Sequence, residues 1–332
     1  MLHFTRYFAT ASILLAALVI PTIIQAADMK KPAGYPNRPV EVVVRSGAGS
    51  GSEAFARVFT KHLSDELGFT FKYSFMPGAD GTISSSYLLD QPADGYTIYI
   101  ASPTQLINIL RGKVKYTLAD WTWLARTAFE LSALHVLTSN KEISTFQDVI
   151  DHCKKEKKIK ITVAGSGAIS FDRVWVELLN QSMGTNCLKF VPFNKSSNRR
   201  ASFLGGHTTL ISGELAEMHS HFKSGTTKPI VVGSKVRVPG DYADLKTTKD
   251  YGINVFLGRW RGVAAKAGTP QEIVDYLEWA FEQSFNSKPY QHWLKSEPGL
   301  DVSRYLGPAA WKKSMNDDLD TLGGMLKELG LL

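Results

Sequence analysis

Short apolar runs and amphipathic segments alternate along the chain. The β-branched run Val40–Val44 predicts a buried strand, and an amphipathic helix follows it up to Gly68. Residues 70–75 repeat this order, with a second strand and a second helix, and Thr97–Ala101 is a third strand. Three strands with helical connections between them predict a parallel sheet flanked by helices, which is an α/β fold.

The same construction returns in the second half of the chain. Strands are predicted at residues 134–139 and 160–164, and the second leads through a loop of small residues into a helix from Phe171 to Met183. Further strands are predicted at residues 188–192, 230–233, 254–257 and 262–265, and amphipathic helices at residues 270–285 and 309–330. The recurrence of strand, glycine–serine loop and helix predicts two similar α/β lobes.

An apolar stretch at the N-terminus indicates export. After the charge of Arg6 the chain is mostly apolar up to Pro21, and Ala26 is a small residue at a suitable cleavage position. This layout predicts a secretory signal peptide, residues 1–26, cleaved after Ala26. The alternative is a membrane anchor, but the apolar run is shorter than the roughly 20 residues that a spanning helix needs.

Composition places the chain among ordinary globular proteins. Its length of 332 residues corresponds to about two domains of ~150 residues each. Its residues are 44% hydrophobic and 21% charged, which is enough apolar material for a sizeable core. The formal net charge is +7, but the charge is dispersed along the sequence and no nucleic-acid-binding motif accompanies it. We therefore expect no nucleic-acid partner.

Two cysteines are too few for a disulfide scaffold or a cysteine-rich zinc site. Cys153 lies shortly before the strand that ends at Ala164, and Cys187 directly precedes the strand at residues 188–192. If these strands are parallel neighbours, both thiols lie at one edge of the sheet, and an oxidising compartment joins them. The alternative is a pair of unrelated, partly buried thiols.

The glycine loops do not fit known catalytic or nucleotide-binding motifs. Gly47, Gly49 and Ser52 approximate a dinucleotide fingerprint, but its third glycine and its acidic residue are missing. Neither Ser50 nor Ser166 is preceded by the glycine that a serine nucleophile elbow requires. We expect no catalytic residue, no metal site and no cofactor.

Three glycine-rich loops, at residues 46–52, 76–82 and 165–170, each connect a strand to a helix. Such loops present backbone N–H groups together with the positive end of a helix dipole. Small residues let an anion approach the backbone closely. On two facing lobes, these loops predict a cleft for a carboxylate, whereas the alternative is that glycine and serine only make tight turns.

The order and spacing of several short motifs resemble the Bug-type solute-binding receptors, the TctC-like components of tripartite tricarboxylate transporters. The first motif is VVVRSGAGSGSEAFAR at residues 42–57, and the second is PGADGTI at residues 77–83. The series continues with DGYT at 94–97, AGSG at 164–167, VPF at 191–193, GGH at 205–207, WRG at 260–262 and GTP at 268–270. The resemblance covers about residues 35–330.

The resemblance implies a two-lobed periplasmic-binding-protein fold, type II-like, with the ligand cleft between lobes that are each a mostly parallel sheet flanked by helices. The expected lobes are residues 27–136 with 258–332, and residues 137–257, closing about chain crossings near 134–139 and 255–262. In such receptors the first two glycine loops hold a ligand carboxylate through backbone groups and bridging waters. A periplasmic monomer then delivers the ligand to an inner-membrane permease of the tripartite tricarboxylate type.

The chain departs from the family pattern where the cleft is expected. Arg45 and Ser46 stand where Pro-Phe is usual, which enlarges the pocket and lets Arg45 form a bidentate pair with a second ligand carboxylate. An Arg45 side chain that points to solvent is the alternative. Asp80 stands where glycine is usual, and it puts an anion beside the carboxylate site. These departures predict an unusual ligand, such as an aromatic carboxylate or a dicarboxylate.

The predicted function is therefore capture of a small organic carboxylate for uptake, with an exported hydrolase and a sensor that signals to a membrane kinase as alternatives. The ligand-binding residues expected in the first lobe are Arg45, Ser46, Gly47, Ala48, Gly49, Ser52, Gly78, Ala79, Asp80 and Ser102. Those expected in the second lobe are Ser166, Gly167, Ala168, Ser170, Phe193 and Asn194.

Overall fold

A computed structural model describes residues 29–155, 161–300 and 302–332 of the chain. The predicted signal peptide and its cleavage site after Ala26 lie outside these residues, so both stay predictions. In the described part of the chain, none of the helices combines the length and the apolar content that crossing a bilayer requires.

The strands pair into one curled sheet. In chain order they are β1 (Val40–Val44), β2 (Phe71–Phe75), β3 (Thr97–Ala101), β4 (Trp121–Leu137), β5 (Ile161–Ser166), β6 (Leu188–Phe193), β7 (Leu210–Glu214), β8 (Thr227–Val232) and β9 (Gly258–Lys266). The spatial order is β2-β1-β3-β9-β4-β7-β5-β6, and β8 pairs with β4. Because β1 is parallel to β2 and β3, and β5 is parallel to β6 and β7, the predicted parallel strands are confirmed in both halves.

Helices flank this sheet, as the α/β pattern predicts. They are α1 (Gly51–Leu67), α2 (Thr82–Asp90), α3 (Thr104–Leu110), α4 (Phe146–Lys155), α5 (Phe171–Ser182), α6 (Ser196–Leu204), α7 (Leu215–Lys223), α8 (Gln271–Asn286), α9 (Lys288–Ser296) and α10 (Pro308–Glu328). Gly68 ends α1 in the left-handed conformation, with a φ of 69° that glycine adopts without steric cost.

β4 and β9 join the two halves of the sheet. The N-terminal part of β4, as far as Leu131, pairs antiparallel with β9. From Ser132 onward β4 pairs instead with β7, and from Ala133 with β8 as well. The chain therefore passes from one half to the other between Leu131 and Ser132, and it returns at Gly258, where β9 begins.

Two strand predictions need correction at this junction. The strand predicted at residues 134–139 exists, but it is the last part of the 17-residue strand β4 and ends at Leu137; the half-buried Arg126 and the buried Glu130 interrupt the apolar pattern of the earlier part. Residues 254–257, predicted as a strand, have no regular structure. Val255 and Leu257 are apolar because they are buried in the core, and burial alone does not require a strand.

Aromatic packing fixes the position of α1 beneath the sheet edge. Phe55 and Phe59 stack with ring centroids 5.6 Å apart. Phe59 also packs against Phe281 of α8 and Tyr290 of α9, with centroids 5.3 Å apart in both pairs. Aromatic pairs of this kind contribute about 0.5–1.5 kcal/mol each beyond their buried area. The N-terminus of α1 is thereby held beside the end of β1.

The predicted disulfide is confirmed. Cys153 in the last turn of α4 is bonded to Cys187, which directly precedes β6, and their Cα atoms lie 5.4 Å apart. β5 and β6 are parallel neighbours that begin with the paired residues Ile161 and Leu188, so the two thiols meet at one edge of the sheet.

Candidate functional site

A cavity of about 440 Å³ opens between the two halves of the sheet. Its walls include Arg45 after β1, Ser166 at the end of β5, Glu214 at the end of β7 and Arg259 in β9. The carboxyl ends of the parallel strands thus lead into it, which is where open α/β sheets bind their ligands.

The first loop leads from β1 into α1. Ser50 caps the helix, and its side chain accepts a hydrogen bond from the N–H of Glu53. Gly49 has a φ of 77°, and its N–H donates to Oε2 of Glu53 at 2.7 Å. The N–H groups of Gly51 and Ser52 belong to the first turn and have no acceptor within the helix. The helix N-terminus, rather than the amide of Gly49, is therefore available to an anion.

The second loop has a left-handed backbone. Positive φ values run through four successive residues, which are Gly78 (128°), Ala79 (46°), Asp80 (51°) and Gly81 (84°). For alanine and aspartate this conformation costs about 1 kcal/mol or more each. The side-chain amide of Asn108 donates to the Asp80 carbonyl at 3.0 Å and supports the loop. In the described part of the chain, the N–H groups of Ala79 and Asp80 have no acceptor.

The expectation of free backbone N–H groups is wrong for two residues of the third loop. Ser166 donates its N–H to Oδ2 of Asp172 at 2.8 Å, and Gly167 donates its N–H to the Phe193 carbonyl at 2.9 Å. In the described part of the chain, the N–H groups of Ala168, Ile169 and Ser170 have no acceptor, and the side chain of Ser170 caps α5. Ser166 and Gly167 therefore contribute shape to the cavity wall instead of backbone donors.

Most of the expected ligand-binding residues line the cavity. They are Arg45, Ser46, Gly49, Ser52, Gly78, Ala79, Asp80, Ser166, Gly167, Ser170, Phe193 and Asn194. Gly47 and Ala48 line a neighbouring cavity of about 270 Å³ together with Lys195 and Arg200. Ser102 is buried before α3, where its N–H donates to Oε1 of Gln105, and Ala168 is exposed. Neither of these two residues lines either cavity.

Two arginines of β9 lie in the wall of the cavity, and both are bound by carboxylates. Arg259 pairs with Asp172 at 2.7 Å and with Glu214 at 3.0 Å. Arg261 pairs with Glu130 at 2.6 Å, and its Nη1 donates to Oγ of Ser52 at 2.7 Å. Burial raises the pKa of Glu214. These pairs neutralise the two guanidinium groups and tie β9 to the first turn of α1.

A further buried pair lies on the other side of the cleft. Arg199 of α6 contacts Asp172 at 3.1 Å and forms an ion pair with Glu217 of α7, which Arg200 also contacts at 3.1 Å. Burial favours the neutral form of Glu217, but Arg199 outweighs it and lowers the pKa of the carboxyl to about 2. Arg199 is thus neutralised like Arg259 and Arg261.

Arg45 differs from these arginines. It lines the cavity, and in the described residues no carboxylate lies within ion-pair distance of its guanidinium. Its Nε is buried without a hydrogen-bond partner. Burial, and then the charge of Arg259, lower the pKa of Arg45 to about 10, so that it keeps its charge at neutral pH. The sequence left open whether Arg45 points into the cleft or to solvent. In the structure, the Arg45 side chain points into the cleft.

Sequence reasoning missed the charged residues that the strands carry into the cleft. Arg259 and Arg261 are two residues apart in β9, and in β4 Glu130 lies opposite Arg259 and pairs diagonally with Arg261. Charged residues at a spacing of two within an apolar strand are the signal that indicates them, because buried charges must be paired. The remaining missed residues lie on helices or at their ends and have no such local signal; they include Glu217, His221, Trp293 and Glu297.

The architecture and this cleft agree with a known receptor family. Residues 55–331 match the family described as tripartite tricarboxylate transporter family receptor, TctC. The chain belongs to this family.

Individual relatives of this TctC-family receptor support the same fold. It is 27% identical to a UPF0065 protein of Bordetella bronchiseptica, over 80% of this chain and 78% of the relative. The periplasmic binding protein BugD matches with a TM-score of 0.79 at 22% identity, over 90% of this chain and 99% of BugD. An R. palustris protein solved with adipate matches with a TM-score of 0.79 at 23% identity, over 89% and 98% of the two chains. The two-lobed fold and the Bug-type resemblance are thereby confirmed.

Proposed function

We propose that this receptor captures a small organic carboxylate in the cleft and presents it to an inner-membrane permease of the tripartite tricarboxylate type. One observation carries the proposal. The unpaired guanidinium of Arg45 and the free N–H groups of Ala79 and Asp80 lie in one cavity, beside the N-terminus of α1. The arginines of β9 and α6 that line the cavity pair with carboxylates. Among the described arginines of the cavity wall, Arg45 is therefore the one that can pair with a ligand carboxylate without giving up a partner.

The chemistry of these groups fits an anion. The guanidinium of Arg45 offers two parallel N–H donors to a carboxylate, and charge-assisted bonds of this kind are about twice as strong as neutral ones. The N-terminus of α1 adds its partial positive charge. A ligand carboxylate bound here contacts both Arg45 and the free amides of the second loop. The similar R. palustris protein was solved with adipate, which is also a carboxylate.

The proposal includes a periplasmic location and closure of two lobes around the ligand. BugD, which shares this fold, is described as a periplasmic binding protein, and that supports export of this chain to the periplasm. We further propose that the receptor acts as a monomer and does not catalyse a reaction. We place the lobe boundary five residues earlier than the expected residue 136, and assign residues 29–131 with 258–332 to one lobe and residues 132–257 to the other. The change of partners in β4 between Leu131 and Ser132, and the start of β9 at Gly258, supply the crossings about which the lobes close.

Calorimetric titration tests this proposal with succinate, adipate, benzoate, and a neutral sugar and an amine for comparison. We expect at least one acid to bind, and we expect Arg45→Gln to weaken its binding at least tenfold, because the variant loses the unpaired cation of the cleft. Arg38→Gln is the control, since Arg38 is a solvent-exposed arginine that pairs with Asp94. Binding of the sugar or the amine with every acid silent would overturn the proposal.

A further inference from the structure

Asp80 is a carboxylate in a site that otherwise favours anions. It lies in the second loop, lines the cavity, and carries one of the free N–H groups on its own backbone. In the described part of the chain its carboxylate accepts no hydrogen bond and forms no ion pair. Burial raises its pKa, as expected for a carboxylate without a partner. Even a half-buried charge without a partner costs free energy unless something that binds there compensates it.

The two unpaired charges of the cleft are neighbours. The side chain of Arg45 packs against Gly81, the residue after Asp80, so closely that a Cβ on this glycine would lie 3.3 Å from Cδ of Arg45. The charge of Arg111, and then that of Arg45, act against burial and lower the pKa of Asp80, yet in the described residues Asp80 forms no ion pair with either arginine. The cleft therefore offers one cation and one anion side by side, each without a partner in the described residues.

Asp80 also lies where loops from the two halves of the sheet approach each other. Its carboxylate abuts Gly167, and a Cβ at that glycine would overlap Oδ1 of Asp80. A ligand group bound to Asp80 is therefore close to both sides of the cleft. Such a position favours a group that is held only when the cleft is closed.

We propose that the ligand is zwitterionic: its carboxylate binds at Arg45 and the second loop, and its ammonium group binds to Asp80. This inference rests on the proposed function and names the ligand class as amino carboxylates. A ligand with carboxylates alone would set a second anion against Asp80, which costs affinity. The charges of Arg111 and Arg45 act on Asp80, but neither arginine pairs with it in the described residues, and this leaves its carboxylate open to a cationic group of the ligand.

Glu297 is the competing site for an ammonium group. It also lines the cavity and forms no ion pair in the described residues, but it lies near Glu130 and follows α9, away from the second loop. We assign the ammonium to Asp80 because Asp80 adjoins both the free amides and Arg45. Separate variants of the two carboxylates distinguish these sites.

The test is calorimetric titration with acids that differ by one group. The first set is succinate, malate and aspartate. The second set, 3-phenylpropionate and phenylalanine, varies the shape of the ligand. The third set, butyrate and 4-aminobutyrate, varies the distance between the two charges. We expect the amino member of at least one set to bind at least tenfold more tightly than its partner without nitrogen. Malate controls for a neutral hydroxyl donor.

Variants assign the preference to a residue. Asp80→Asn keeps the size of the side chain, and Asp80→Gly suits the φ of 51° at this position, so both are expected to fold. In both variants we expect the affinity ratio between the amino member and its partner without nitrogen to fall at least tenfold. The acids without nitrogen should bind as before or more tightly. Glu297→Gln and the exposed Asp90→Asn are expected to keep the preference.

Four outcomes would overturn this inference. If acids without an ammonium group bind as tightly as the amino members in every set, the ligand is not zwitterionic, while carboxylate capture still stands. If the preference is confined to aspartate over succinate and malate equals aspartate, a neutral donor explains the preference and an ammonium does not. If Glu297→Gln removes the preference and Asp80→Asn does not, the assignment to Asp80 is wrong. If no acid of any kind binds, the proposed function fails together with the inference.

Discussion

Gly167 is the residue at which the two sides of the cleft come closest. Its φ is 66°, and an added Cβ would overlap the carboxylate of Asp80 on the opposite loop. We expect Gly167→Ala to weaken ligand binding at least tenfold, because the methyl group holds the two loops apart. Calorimetric titration with the tightest-binding acid measures this effect.

Gly184→Ala is the matched control for that variant. Gly184 has nearly the same φ, 63°, but open space around its Cα, and it lies beyond the end of α5. Both variants pay the same backbone penalty of about 1 kcal/mol in the left-handed region. Equal loss of affinity in the two variants would show that the loops do not meet at Gly167.

His135 makes the stability of the protein depend on pH. It is completely buried in β4, and in the described part of the chain neither ring nitrogen has a hydrogen-bond partner. Burial lowers its pKa to about 3, while the charges that face it are Glu217 and Arg199. In the unfolded chain the His135 side chain therefore becomes protonated near pH 6.5, whereas in the folded protein it becomes protonated only near pH 3.

The consequence is a loss of stability as the pH falls from about 6.5 towards 3. At pH 5 the free energy of unfolding is expected to be roughly 2 kcal/mol lower than at pH 7 because of His135 alone. The variant His135→Leu is expected to lack this part of the pH dependence. Urea unfolding of both proteins at pH 7 and pH 5 measures the difference. Exposed His292→Gln is the control, and an unchanged pH dependence in His135→Leu would contradict this account.

The direction of Arg45 shows what residue-scale prediction lacks. The sequence indicates that this position is unusual, but it leaves the side chain free to point to solvent or to the cleft. The structure decides between them because Gly81 packs against the stem of Arg45 and the paired Arg259 and Arg261 occupy the adjoining wall. These contacts join residues far apart in sequence, and no local pattern encodes them.

The disulfide links two elements of the second half of the sheet. Cys153 ends α4, Cys187 precedes β6, and the two residues are 34 positions apart. Closing a loop of this length reduces the entropy of the unfolded chain, which is worth about 4 kcal/mol in the chain-entropy description. We expect Cys153→Ala with Cys187→Ala to lower the free energy of unfolding by about 2–4 kcal/mol.

Urea denaturation measures this loss, and a thiol reductant provides the comparison. The reductant should destabilise the natural protein to the same extent and leave the double-alanine protein unchanged. Equal stability of the two proteins under oxidising conditions would contradict a structural role for the bond.

Elements with local signals could be predicted, and those that depend on distant partners could not. Val40–Val44 and the stop of α1 at Gly68 follow from β-branched residues and a left-handed glycine. The first part of β4 was missed because Glu130 looks like a surface residue until Arg261, from a distant strand, pairs with it. The third loop was expected to expose its amides, but Asp172 in the following helix accepts the N–H of Ser166.

For the whole molecule, the two-lobed architecture could be predicted from the repeat of strand, loop and helix, and the family resemblance located the cleft. The balance of charge inside the cleft could not be predicted. It emerges only when β4, β7, β9, α5 and α6 converge, since in the described residues each arginine that lines the cavity, except Arg45, then pairs with a carboxylate. The same convergence leaves Asp80 without a partner and so points to the ligand class.

The crystal structure of the receptor with its tightest-binding acid tests the central claim most directly. We predict that a ligand carboxylate lies within hydrogen-bond distance of the Arg45 guanidinium and of the N–H groups of Ala79 and Asp80. A ligand bound elsewhere, with Arg45 turned away from it and these two amides unoccupied, would contradict the account.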